Sequence, residues 1–200
     1  MRTKILILVL ILLVIVACTH NVNVPLRPDY QQNIYPDNKL SKLEKKIKFS
    51  KGEFSDNRPD ISRLASFKQQ VHTYNLHEER PLDEAFFEGL YQLMTSSGHE
   101  WSDTEPGDVQ INLSFLNCQA ERNAGLVSVG ANSSVQIKLD FIDTASDDLI
   151  YSQVYSGTDE RSQAMIGLMG MVLKSIDASM IDCINSVGDD ENLVRALQKL

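Results

Sequence analysis

The chain has 200 residues, 42% of them hydrophobic, and a formal net charge of −8 at pH 7. That composition is an ordinary globular one, long enough for a single domain with flanking segments. Its acidity removes the basic footprint that nucleic acid requires, so nucleic acid is excluded as a partner.

The first stretch is the most distinctive. Arg2 and Lys4 precede an apolar run from Ile5 to Val16, closed by Ile15-Val16-Ala17-Cys18. A bilayer span needs about 20 apolar residues, and this run has the shorter length of a signal-peptide core. Thr19-His20-Asn21 carries no stop-transfer lysine, which argues against an uncleaved anchor. Ile15 stands where the A-x-A site of a plain secretory signal would place a small residue. The stretch resembles a bacterial lipoprotein signal peptide with its lipobox. That resemblance implies cleavage between Ala17 and Cys18, with a diacylglyceryl group on the Cys18 thiol and a further acyl chain on the freed amine. Each buried methylene contributes about 0.8 kcal/mol, so one chain binds marginally and two or three anchor stably. Threonine rather than aspartate after the cysteine implies, by the lipoprotein sorting rule, the periplasmic face of the outer membrane. Residues 1–17 are then signal peptide, 18–38 the lipidated cysteine and a flexible tether, and 39–200 one α+β domain.

The tether is inferred from Pro25, Pro28 and Pro36, with asparagines between them and no surviving periodicity. Lys39, Lys42, Lys45, Lys46, Lys48 and Lys51 follow, with only Glu44 among them. Beside a bilayer they would make a basic collar, but a charge run is more often a solvated face. From Gly52 onward, 10 basic residues face 24 acidic ones.

Lys46 to Phe54 alternates and predicts a first strand; residues 55–60 are turn-forming, and Val71 to Leu76 predicts a second strand. Pro81, Asp83 and Glu84 open a helix whose stripe is Leu82, Phe86, Leu90, Leu93 and Met94, with Gly98 to end it. His99 to Ser102 is a short strand. Val109, Ile111, Leu113 and Phe115, and then Val127 to Phe141, alternate without a break and predict a long antiparallel hairpin turning at Glu121–Gly125. Leu149 to Gly157 is the next strand. A helix from Arg161 to Val187 and a short one ending near Lys199 complete the chain. The order predicts an α+β two-layer sandwich: a mostly antiparallel sheet with two long helices on one face.

Candidates for chemistry are few. His72, His77, Glu78 and Glu79 are the closest set of metal-ligand types, but His72 and His77 face opposite ways on a strand and no H-E-x-x-H or C-x-x-C accompanies them. No G-x-S-x-G, S-x-x-K or phosphate-binding loop occurs. Neither catalysis, a metal nor a cofactor is expected. Cys118 falls on the strand face opposite Phe115, and Cys183 on the apolar stripe of the last long helix, so a bridge between them is not expected. The Met- and Gly-rich stretch Ala164–Leu173 is expected as a buried helix start. Its alternative is a binding face of Met165, Leu168 and Met169, with Trp101 as a further aromatic candidate.

The lipobox at Cys18, the turn Asp56-Asn57-Arg58-Pro59-Asp60, the passage from Leu82 through Gly98-His99-Glu100-Trp101, and Asp108-Val109-Gln110-Ile111-Asn112-Leu113 resemble, in order and spacing, the YajG-type outer-membrane lipoproteins. The resemblance covers most of the chain after residue 17. It implies a small periplasm-facing α+β domain without assigned enzymatic activity. Similar two-layer lipoprotein domains serve envelope transport machines, as in the LptE-like and PqiC-like groups, which is an analogy of fold. The function expected is an accessory or scaffolding subunit with an envelope protein partner. The alternative is a module binding lipid or cell-wall fragments between sheet and helices.

Overall fold

A computed structural model describes residues 19–69, 72–124, 129–163 and 168–200. Strands β1 (Thr19–Val24), β2 (Lys48–Asp56), β3 (Ala65–Gln69), β4 (His72–Glu78), β5 (Glu100–Ser102), β6 (Val109–Ala124), β7 (Val129–Asp143) and β8 (Leu149–Gln163) form two sheets. The larger has the order β5-β2-β6-β7-β8 and the smaller β1-β4-β3. Helices are α1 (Tyr30–Asn33), α2 (Leu82–Ser96), α3 (Leu168–Gly188) and α4 (Glu191–Leu197).

The α+β sandwich expected from the sequence is what the chain forms. Its sheets are mixed: β6, β7 and β8 pair antiparallel, whereas β2 runs parallel to β5 and β6, and β1 parallel to β4. Alternation puts Val109, Ile111, Leu113 and Phe115 on the core face, opposite Ile137, Leu139 and Phe141 of β7. Helices α2 and α3 cover that face. Phe86 of α2 meets Phe115 with ring centroids 5.2 Å apart. Helix α2 ends as its sequence predicts, with Gly98 in the left-handed region at φ +88°.

Helix α3 lies unusually close to β8, and the cause is a missing side chain. A Cβ on Gly157 would overlap the Ser179 carbonyl and the Cys183 backbone. Beside that contact, buried Ser133 of β7 bonds the Ser175 hydroxyl at 2.9 Å and also the Ser179 hydroxyl. Asp190 fastens the end of α3. One carboxylate oxygen accepts from the amides of Asn192 and Leu193, capping α4, and the other from the hydroxyls of Tyr151 and Tyr155 at 2.9 and 2.8 Å.

Four expectations are corrected. Segment 19–38 is folded onto the body: Val24, Leu26, Tyr30 and Ile34 are all buried, Tyr30 seats its ring against Gly89, and Asn185 of α3 holds Tyr35 and Asn33 by backbone hydrogen bonds. Strand β3, unforeseen, pairs antiparallel with β4. Strand β8 runs on through Arg161 to Gln163, where a helix was expected, because β7 pairs with it as far as Val129. A bulge between Phe115 and Asn117 reverses the phase of β6, so Cys118 and Ala120 face inward. Cys118 and Cys183 are free, buried thiols, each pushed up to about 12 by burial.

Candidate functional site

The expected lipidation and cleavage residues, Cys18 and Ala17, lie outside the described residues, as does Met165. Leu168 opens α3. Met169 is half-buried against the core. Trp101 is half-buried too, its Nε1 donating to Asp103 at 2.8 Å and its ring 6.3 Å from Phe87. Trp101 belongs to the β5 margin of the large sheet, and α3 packs on β7 and β8 at the other. Of the candidates, Trp101 and Met169 are therefore not brought together on one surface.

Four of the six lysines of the run are paired with the body's own acids. Lys39 pairs with Glu191, Lys46 with Glu100, Lys48 with Glu105 and Lys51 with Asp83, at 2.9 to 3.2 Å. The set around β4 is likewise dispersed. His72 bonds His20 at 3.0 Å, His77 lies 3.4 Å from the Asn21 side chain, and Glu78 is 3.6 Å from Arg58. Among the described residues no group of three or more His, Cys, Asp or Glu is placed to hold a metal. No described helix is long and apolar enough to cross a membrane.

What the structure does assemble is a cleft where the two sheets meet, along β3 and the outer half of β6. It is built from Arg58, read from sequence only as part of a turn. Pairing of β2 with β6 stops at Asp56 and Phe115, and the Asn57 amide makes a last bond to the Phe115 carbonyl at 2.8 Å. The chain then buries Arg58 across the Phe115 ring, 4.9 Å from its centroid. The guanidinium grips the Asp56 carboxylate at 2.6 to 3.1 Å and donates to the Arg63 carbonyl at 2.8 Å. Burial by itself would raise the Asp56 pKa, but the Arg58 hydrogen bonds and charge hold the carboxyl below its usual range. Arg58 thus ties the end of β2 to the loop entering β3.

Beyond that tie the sheets part. From Asn117 onward β6 pairs with β7 alone, and β3 lies beside it without joining the ladder. The cavity between them measures about 570 Å3. Buried Leu64, Phe67, Cys118 and Ala120 form its apolar wall, and Lys68 and Arg122 also line it. Phe67 begins an aromatic row across the small sheet, stacking on Tyr74, which stacks on His20, each pair 5.1 Å apart.

A second cleft, of about 410 Å3, lies between the N-terminal segment, β8 and α3. Asp177 there accepts the Arg27 amide at 3.2 Å, and burial raises its pKa to about 6 against the pull of that bond and of Arg161. This cleft is the seam along which segment 25–38 docks.

With this geometry in view, known proteins supply a likeness of fold. A Xanthomonas campestris protein of the DUF330 family model superposes with a TM-score of 0.61 at 9% identity, over 89% of this chain and 97% of its own. The two share a fold. A Helicobacter pylori protein described as a homolog of a neuraminyllactose-binding hemagglutinin matches at TM-score 0.50 and 12% identity, over 88% of this chain and 97% of its own. A Neisseria meningitidis lipoprotein reaches 0.38 at 8% identity, over 64% and 94%. No family model matches the sequence. No curated protein matches it.

Proposed function

We propose that this chain is a non-enzymatic lipoprotein of the bacterial envelope, of the YajG-like kind, held by lipid on Cys18 at the periplasmic face of the outer membrane. There it acts as an accessory or scaffolding subunit of an envelope complex. The observation that carries this reading is the junction at residue 18: the lipobox cysteine directly precedes Thr19, the first residue of β1, which pairs with Thr73 of β4. The anchor therefore leads straight into a sheet. Threonine at that position is the basis for the outer membrane.

Partner contact belongs to the edge of β8 that no described strand pairs with; β8 closes the large sheet and leaves Leu149 and Val154 exposed. An unpaired strand edge is a template for adding a strand from another chain. This reading assigns the protein no reaction and no cofactor.

The test is metabolic labelling with an alkyne palmitate analogue, membrane fractionation, and a photocrosslinking amino acid at Val154. The reading expects label in the outer-membrane fraction, none in Cys18→Ala, and a discrete crosslinked envelope protein. An unlabelled wild-type chain would overturn the anchoring. Labelled protein with no crosslink from β8 would overturn the subunit role.

A further inference from the structure

The cleft between β3 and β6 gathers positive charge in a body that has little of it. Arg58, Arg63, Lys68 and Arg122 are four of the ten basic residues after Gly52, and all four line this cavity. Arg58 is committed to Asp56 and Glu78, and Arg63 to Asp60. The ion pairs among the described residues include neither Lys68 nor Arg122, and Arg122 Nε is buried with no hydrogen-bond partner among those residues. A buried guanidinium N–H left unpaired is costly, and an anion arriving beside it removes that cost. The lining carboxylates are Asp60, held by Arg63, and exposed Glu121.

Position narrows the anion. Lys68 is level with Thr73 in β4, and Thr73 with Thr19 in β1, so Lys68 stands at the end of the small sheet where the chain leaves Cys18. Arg122 lines the same cavity from β6. Deeper in lie the apolar surfaces of Phe67, Leu64, Cys118 and Ala120. Charge on exposed Lys68 and half-buried Arg122 beside an apolar wall matches an amphiphile, entering from the end that a lipid on Cys18 would hold at the bilayer. Small-molecule sites run from about 300 to 1,000 Å3, and this cavity falls within that range.

We propose that the β3–β6 cleft binds one anionic phospholipid, its phosphate between Lys68 and Arg122 and its glycerol and first methylenes against Phe67 and Ala120. The anchored reading of Cys18 serves only to orient the cleft; the site stands on its own residues.

The test is native mass spectrometry of the full chain in a neutral detergent, titrated with phosphatidylglycerol, with diacylglycerol, and with glycerol 3-phosphate. One saturable phosphatidylglycerol per chain is expected, with diacylglycerol and glycerol 3-phosphate each binding at least tenfold more weakly. Arg122→Gln should weaken phosphatidylglycerol binding at least tenfold. Lys68→Gln, an exposed change that leaves the core untouched, should weaken it three- to tenfold. Unchanged affinity in Lys68→Gln, diacylglycerol bound as tightly as phosphatidylglycerol, or glycerol 3-phosphate bound as tightly would each overturn the proposal, the last by showing a site for a free phosphate ester. Cys18→Ala separates the two readings: it should lose the palmitate label and keep the phospholipid.

Discussion

Arg58 is the residue on which most depends for its size. It is 7% exposed, and its guanidinium joins the end of β2, the loop entering β3 and, through Glu78, the end of β4. Breaking a buried ion pair by removing one partner is costly, because the other charge is left stranded. Arg58→Ala should lower the unfolding free energy by about 2–4 kcal/mol in urea titration, whereas a surface pair such as Lys46–Glu100 should cost under about 1 kcal/mol. Asp177 works in the opposite sense. Its folded pKa, about 6, lies above that of an unfolded aspartate, so its contribution to stability is fully present below the unfolded value and is lost as pH rises through 6. Asp177→Asn should therefore stabilise the protein at pH 7.5 by about 1–2 kcal/mol and leave it unchanged near pH 3, as measured by urea midpoints at the two pH values. Neither role was legible in sequence. Arg58 looked like one polar residue in a turn, and Asp177 like one acid on a helix, because burial of a charge is decided by which distant segment closes over it.

At the scale of elements, Gly157 sets how near α3 can lie to β8. Gly157→Ala would drive a methyl group into the Ser179 carbonyl, so the helix must lift. The expected loss is about 1–3 kcal/mol in thermal or urea unfolding, with slower closure visible as faster amide exchange in α3. The long periodic elements were readable: the β6–β7 hairpin and the stripes of α2 and α3 repeat their apolar residues often enough to override local noise. What escaped was short or charged. Strand β3 offers only Ala65 and Phe67 as an inward pattern. The last residues of β8 include Asp159, Glu160 and Arg161, which belong to a strand only because β7 lies alongside to pair with them. The β6 bulge did leave a trace, two adjacent large apolar residues at Phe115 and Leu116 where strict alternation would place one.

For the whole molecule, the N-terminal segment is part of the fold. Val22, Val24 and Leu26 alternate, and Tyr30 and Ile34 are one helical turn apart, a pattern that the prolines between them obscured. Proteinase K under native conditions should leave segment 19–38 intact, and a Tyr30→Asp chain should be clipped there within minutes; gel analysis with N-terminal sequencing reads both outcomes. The thiols report on the same closure: Cys118 and Cys183 should react with a maleimide only after unfolding, since both are buried. That β1 begins at Thr19, the residue after Cys18, also has a mechanical meaning. If Cys18 carries lipid as proposed, the chain would have no leash, would turn about its anchor as one piece and would meet partners by gliding in the plane of the membrane. How far it would extend from the bilayer would then be fixed by its own strands. Fifteen residues of β7 span roughly 45–50 Å, and the turn at Asp143–Asp148 rides at the far end, away from the Lys68 and Arg122 end. A partner standing further off must do the reaching itself.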